Sequence, residues 1–120
     1  MPFRSIVTKQ LGTFLGALSH PHRLRIVEEL GDQERDVNAL TDALGITHSG
    51  VSQHLAVLRA HGVVVERREG RHVFYRLRRA ELSSWLVAGL DFIGPAREEI
   101  REMESALRKA RSTWGSKRRS

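Results

Sequence analysis

The side chains best suited to chemistry in this 120-residue chain are six histidines, and there is no cysteine beside them. Three fall in the eighteen residues GITHSGVSQHLAVLRAHG, positions 45–62. Imidazole is the commonest metal ligand among side chains, so a metal centre is the first chemistry to weigh. The spacing argues against one inside this stretch. His48 and His54 are six residues apart and His54 and His61 seven, or about 9 and 10.5 Å along a helix, while ligands of one ion sit about 2 Å from it. His54 lies beside an apolar face and reads as a packing or backbone-contact residue. His61 falls in the last turn, where a protonated ring complements the helix C-terminus. His48 is left exposed at the helix start.

Two other sets deserve the same question. His20 and His22 flank Pro21 and could join carboxylates from another segment or subunit. Glu98, Glu99 and Glu102 cluster near the C-terminus and could meet a hard cation. Each reads first as a solvated surface group, so no metal ligand and no cofactor is assigned. Without cysteine there are no disulfides, thiolate metal sites or thiol redox sensors. Nor does the sequence hold a nucleophile–base pair or a Gly-rich phosphate loop, and no enzyme is expected.

Lys and Arg number 20 against 14 Asp and Glu, a formal charge of +6. A small basic domain favours a polyanionic partner, nucleic acid first. The length fits one domain. No apolar run is long enough to span a bilayer, and the N-terminus lacks the apolar block of a signal peptide. The expectation is a cytoplasmic protein with no membrane partner.

The elements that must position these residues can be read from apolar spacing. Ile6, Val7, Leu11, Phe14, Leu15 and Leu18 form a helical stripe over 5–18. Ser19 or His20 caps a second helix with Pro21 at its first position. Leu24, Ile26, Val27 and Leu30 form its buried face, and Gly31 ends it. A two-turn helix follows in RDVNALTDALG, with Val37, Leu40 and Leu44 facing inward and Gly45 as the stop. Thr47 caps the next helix, 48–61, whose Val51, Leu55 and Leu58 share one face. VVVERR and RHVFYRL then read as a hairpin about Glu69-Gly70. Helical spacing returns over 80–93 through Leu82, Trp85, Leu86, Leu90 and Ile93. Gly94-Pro95 kinks or ends that helix. A last helix to about Trp114 carries Ala96, Ile100, Met103, Leu107, Ala110 and Trp114 at heptad spacing. The expected organisation is a single winged-helix domain over 1–114 with a basic tail at 115–120.

This order is mainly α with a small β-hairpin, a winged helix-turn-helix. A short helix packs across the next and leaves the opposite face of that second helix exposed, at a width that fits the DNA major groove. The candidate DNA-reading residues are Thr47, His48, Ser49, Ser52 and Gln53. Gln53 suits a bidentate contact to adenine, and Ser49 and Ser52 suit bases or phosphates. Gly50 permits a close backbone approach to the duplex. Arg67, Arg68, Arg71 and His72 gather about the hairpin tip, where they can straddle the backbone and reach the minor groove. Two bland alternatives stand beside these: a solvated polar helix face, and charges that merely protect an edge strand. The apolar stripes of the first and last helices exceed what a small winged helix needs, and at least one is expected to meet a second copy of the chain.

ALSHPHRLRIVEEL together with LTDALGITHSGVSQHLAVLRAHGVVVERREGRHVFYRL resembles the ArsR-type bacterial transcriptional regulators, over roughly residues 11–78. The resemblance implies a homodimer made by the first and last helices, and a repressor that binds an inverted-repeat operator in double-stranded DNA. It also implies release by an effector, which the sequence does not identify. The thiolate pair that some members carry falls here on Asp36 and Asn38. The Asp-x-His pair of another family site falls on Asp91 and Ile93, and no histidine follows His72. Both metal sites are therefore absent in their usual form. The alternative function is a winged-helix protein-interaction module without specific DNA binding.

Overall fold

The computed structural model describes residues 2–94 and 96–119, with the backbone alone described at 96, 97 and 113–119. Two compact units divide between Ser84 and Trp85.

The first unit opens with α1, Pro2–Leu18, which begins three residues before the expected start. Only Ala17 and Leu18 at its end are buried. α2, Pro21–Leu30, is capped by His20, whose Nδ1 accepts the His22 N–H at 3.0 Å, with Pro21 at the start as expected. Ile26, Val27 and Leu30 are buried, whereas Leu24 is 40% exposed and does not belong to the buried face expected of it. Asp36 caps α3, Val37–Leu44, by accepting the Asn38 N–H. Gly45 then takes the left-handed conformation at φ 67°, and its N–H returns to the Thr41 carbonyl. This turn carries the chain directly into α4, His48–Ala60, capped by Thr47.

The sheet has three strands where the residue pattern predicts two. β1 is Arg35–Asp36, β2 is Val64–Glu69 and β3 is His72–Leu77, in antiparallel order β1-β3-β2. β1 pairs Arg35 with Tyr75 and Asp36 with Phe74. Two residues carry no readable alternation, and their pairing exists only because β3 lies beside them. Glu69 pairs with His72, so the hairpin turn is Gly70-Arg71, one residue later than expected. Gly70 has φ 61° and Arg71 does not adopt a positive φ, the arrangement of a turn with glycine at its first loop position.

The core of this unit lies where α2, α3, α4 and the sheet meet. Ile26, Val27, Leu30, Leu40, Val51, Leu55, Leu58 and Val64 are at most 2% exposed. All but Val64, which is on β2, lie on the faces that the spacing predicts for α2, α3 and α4. Leu44 is only half-buried.

α5, Glu81–Gly89, begins in the first unit and ends in the second, and it stops at Gly89 rather than continuing to residue 93. A single 3₁₀ turn, Leu90–Phe92, follows, and Gly94 sits at φ 67°. The helices are thus separated rather than joined by a kink. α6 runs over Ala96–Arg119, through most of the segment expected to be a tail. On α6, Ile100 is half-buried while Met103 is 65% and Leu107 56% exposed. The expected heptad side chains Ala96 and Trp114, and Pro95, lie outside the described residues. Among the described residues, no helix is long and apolar enough to cross a membrane.

Leu40 is completely buried between α3 and its neighbours. Leu40→Ala is expected to lower stability by about 2–5 kcal/mol, through lost transfer energy and the cavity left behind. Urea unfolding checks this; a loss below 1 kcal/mol would mean that the site collapses around the smaller side chain.

Candidate nucleic-acid interface

The exposed face of α4 follows from its buried one. With Val51, Leu55 and Leu58 turned into the core, His48, Ser49, Ser52, Gln53 and Ala56 are left exposed. Thr47 accepts the Gly50 N–H through Oγ1 at 3.0 Å, so part of its hydrogen-bonding capacity is used in capping. Gly50 has a reason of its own to be small: an added Cβ would lie 3.2 Å from Thr47 Oγ1 and 3.5 Å from Ile46 Cδ1. A larger residue at 50 would therefore crowd the Thr47 cap in the N-terminal turn of α4, a packing reason for glycine that needs no duplex nearby.

His48 and Ser52 open onto a groove of about 280 Å³ between the helices and the hairpin. Arg68, Arg71 and His72 line its other side, with Asp36, Asn38 and Glu66 among the remaining walls. Five of the nine predicted DNA-reading residues thus converge on one groove. Thr47, Ser49 and Gln53 lie outside its lining on the exposed end of α4, and Arg67 is also outside it.

Strand alternation separates the arginines. Side chains two apart on β2 share a face, which puts Arg68 with Glu66 and Arg67 with Glu69. Arg68 Nε donates to Glu66 Oε1 at 3.0 Å, yet its side chain stays 74% exposed. Arg67 is held on the opposite face. Its Nη2 lies 2.6 Å from Glu34 Oε1, its Nη1 2.8 Å from Glu69 Oε2, and its guanidinium sits 4.6 Å from the Phe74 ring centroid. The Arg67 hydrogen bond holds the Glu34 carboxyl below the usual carboxylate range. β2 is an edge strand, so this charged row also blunts edge-to-edge pairing. Arg71 at the turn has no hydrogen bond or ion pair among the described residues, which leaves its guanidinium free for an outside anion.

Two acids organise the groove. Glu66 accepts from Arg68, from the Tyr75 hydroxyl at 2.9 Å, and from Arg59 at 3.1 Å. The Arg68 bond first and the Tyr75 bond second hold its carboxyl low. Burial, reinforced by Glu66, raises Tyr75. Asp36 caps α3 with Oδ1 and meets His72 Nδ1 through Oδ2 at 2.9 Å. Asp36, Asn38 and Glu66 were not among the predicted site residues. Their part depends on β1 pairing with β3 and on Glu66 facing α4, and no local pattern signals either.

The histidines meet differently from the sequence expectation. His48, His54 and His61 do not cluster, and His61 donates from Nδ1 to the Val57 carbonyl at 2.9 Å as a helix cap. His20 and His22 are half-buried rather than solvated, and the group they join is His54 rather than a carboxylate. The acids Glu98, Glu99 and Glu102 are exposed.

A capped helix crossing a second helix with an exposed polar face, followed by a basic-tipped hairpin, defines a winged helix-turn-helix protein. A helix-turn-helix domain family matches residues 18–67. The HTH-type transcriptional repressor SmtB of Mycobacterium tuberculosis is 48% identical over 66 residues, which cover 55% of this chain and 49% of that protein. The biofilm growth-associated repressor of Xylella fastidiosa is 39% identical over 90 residues, 75% of this chain and 78% of that protein. A homodimeric winged helix-turn-helix DNA-binding domain from Mycobacterium bovis, a possible ArsR-family transcriptional regulator, superposes with a TM-score of 0.63 at 29% identity. That match covers 78% of this chain and 85% of that one. The chain belongs to the ArsR-type family of winged helix-turn-helix regulators. It spans about half the length of several curated relatives it matches.

The Asn38 N–H first, and His72 second, hold the Asp36 carboxyl below its ordinary value. A depressed folded pKa gives stability that is present above the unfolded value, about 3.9, and is lost as pH falls through the folded one. Asp36→Asn keeps a cap acceptor but cannot titrate. Its urea midpoint should therefore vary less with pH below about 4 than that of the wild type. Parallel pH profiles for the two proteins would remove Asp36 from this role.

Proposed function

We propose that this protein is a sequence-specific DNA-binding transcriptional repressor acting as a homodimer on an inverted-repeat operator. The observation that carries the reading is the groove where His48 and Ser52 of α4 face Arg68, Arg71 and His72 of the wing. In this reading the N-terminal face of α4 enters the major groove, with Gln53, Ser49 and Ser52 at base edges and Thr47 and His48 at the groove margin. Arg71 and His72 follow the phosphate backbone, and Arg68 exchanges Glu66 for phosphate. Arg67 acts at one remove, because Glu34 and Glu69 already hold its guanidinium. The relatives named as repressors support a regulator rather than an enzyme. We place the protein in the cytoplasm with no membrane partner, and leave the effector unassigned.

Homodimer formation draws on the faces that the chain leaves uncovered. On α1, Phe3, Val7, Leu11 and Leu15 recur every four residues and are between 42% and 75% exposed. Met103 and Leu107 on α6 are similarly bare. Exposed apolar stripes of this kind mark association surfaces. In the homodimer, the domain over 1–114 supplies both terminal helices to the interface. A two-fold pair sets its recognition helices about 34 Å apart, or a multiple of that.

Footprinting on DNA upstream of its own gene should reveal protection of an imperfect palindrome. Binding should weaken steeply with salt, as phosphate contacts release counterions. Gln53→Ala should lose about 1–3 kcal/mol of discrimination at one base position, while Arg71→Ala weakens all sequences alike and reduces the salt slope by about 1. Lack of sequence preference at low salt would overturn the DNA reading and favour a winged-helix module that binds another protein. Leu11→Glu should yield a monomer by sedimentation that protects only half a site; a dimer that survives it would place the interface elsewhere.

A further inference from the structure

Three imidazoles from two separate segments converge in the first unit. His20 stands at the start of α2, His22 lies two residues on, and His54 comes from the middle of α4. The ring centroids are 4.4 Å apart for His20 and His54, 5.2 Å for His20 and His22, and 5.5 Å for His22 and His54. One nitrogen from each ring lies within 4.8 Å of the others, and all three residues are half-buried. We propose that His20, His22 and His54 form a three-imidazole site for a divalent transition ion of the zinc class, joining the start of α2 to the middle of α4.

The convergence of the three rings carries the proposal, and their nitrogens differ in how free they are. His20 Nδ1 is used by the cap bond to the His22 N–H, and His54 Nδ1 lies 3.4 Å from Arg23 Nη1. Both of these neighbours are N–H donors, so the neutral His20 and His54 rings carry their proton on Nε2, and an ion takes these rings only with a tautomer shift that releases the Nδ1 contacts; neither nitrogen of His22 hydrogen-bonds among the described residues. The neutral ring is the form that binds metal. The Arg23 guanidinium stands beside His54, and its Nε is anchored on the Ala17 carbonyl at 2.6 Å.

A tetrahedral ion with bonds of about 2.0–2.1 Å sets its ligand nitrogens about 3.4 Å apart. Binding therefore requires the rings to turn inward from the observed spacing. Three imidazoles and no thiolate favour zinc, cobalt, nickel or copper over calcium or magnesium. Solvent supplies the fourth position. The assignment does not depend on the DNA reading, although His54 follows Gln53 directly and an ion would tie the proposed reading helix to the α1–α2 junction.

The test is a titration of Co²⁺ and then Zn²⁺ into the full chain, freed of any affinity tag. Visible absorption reports bound Co²⁺, and long-range proton–nitrogen NMR of the histidine rings reports where Zn²⁺ sits. One ion per chain should bind, Zn²⁺ should displace Co²⁺, and the ring shifts should fall on His20, His22 and His54. Losing an outer partner of a metal ligand costs 10–100-fold in affinity, so losing a ligand should cost at least about 100-fold. That loss is expected for His22→Gln, His54→Gln and His20→Asn, the last of which keeps a cap acceptor. His61→Gln should leave affinity unchanged. No bound ion, shifts centred on His48, His61 or His72, or undiminished binding by His22→Gln would each overturn the proposal. Should a variant fail to fold, the wild-type ring shifts decide.

Discussion

The burial of one face of α4 is the constraint on which the rest of the first unit depends. Val51, Leu55 and Leu58 are each at most 1% exposed, and Leu40 of α3 is fully buried beside them. A helix has only one way to hide a face that narrow. Once these side chains are inside, Ser49, Ser52 and Gln53 must be outside. The turn at Gly45 and the cap at Thr47 then set the entry angle of α4, and a side chain at Gly50 would crowd that cap. The reading face is thus a consequence of core packing.

The hairpin contributes through alternation and charge balance. Adjacent arginines on β2 face opposite ways, so Arg67 is absorbed by Glu34 and Glu69 while Arg68 looks into the groove beside α4. Exposed ion pairs of this type contribute little to stability, but they decide which cations remain available to an outside anion. The net positive charge of the chain therefore overstates the basicity of the wing. Arg71, at the turn, is the cation there with no acid holding it among the described residues. The acids also tie parts together: Asp36 links the cap of α3 to His72, and Glu66 links Arg59 on α4 to Tyr75 and Arg68 on the sheet.

Much of this architecture is legible in the residues. The faces of α2, α3 and α4, the caps at His20 and Thr47, and the strands about Gly70 follow from local rules of spacing and capping, which act within a few residues. Leu24 misleads because apolar spacing alone does not say what a side chain meets. β1 is invisible because two residues have no period of their own. The long reading of α5 fails because a run of apolar residues does not reveal where backbone bonding changes to a 3₁₀ turn.

The histidines mark where the local rules stop. Spacing along α4 was enough to separate His48, His54 and His61, because one helix fixes distances between its own residues. It could not bring His54 to His20 and His22, which lie more than thirty positions away in sequence. The same boundary divides the interface. Helix period and glycine positions already place the polar face on α4 and the arginines at the wing. Which arginine faces the groove, which is neutralised, and which acids stand among them depend on strand pairing and helix packing. Those contacts are made between segments remote in the chain, and so no window of residues contains them.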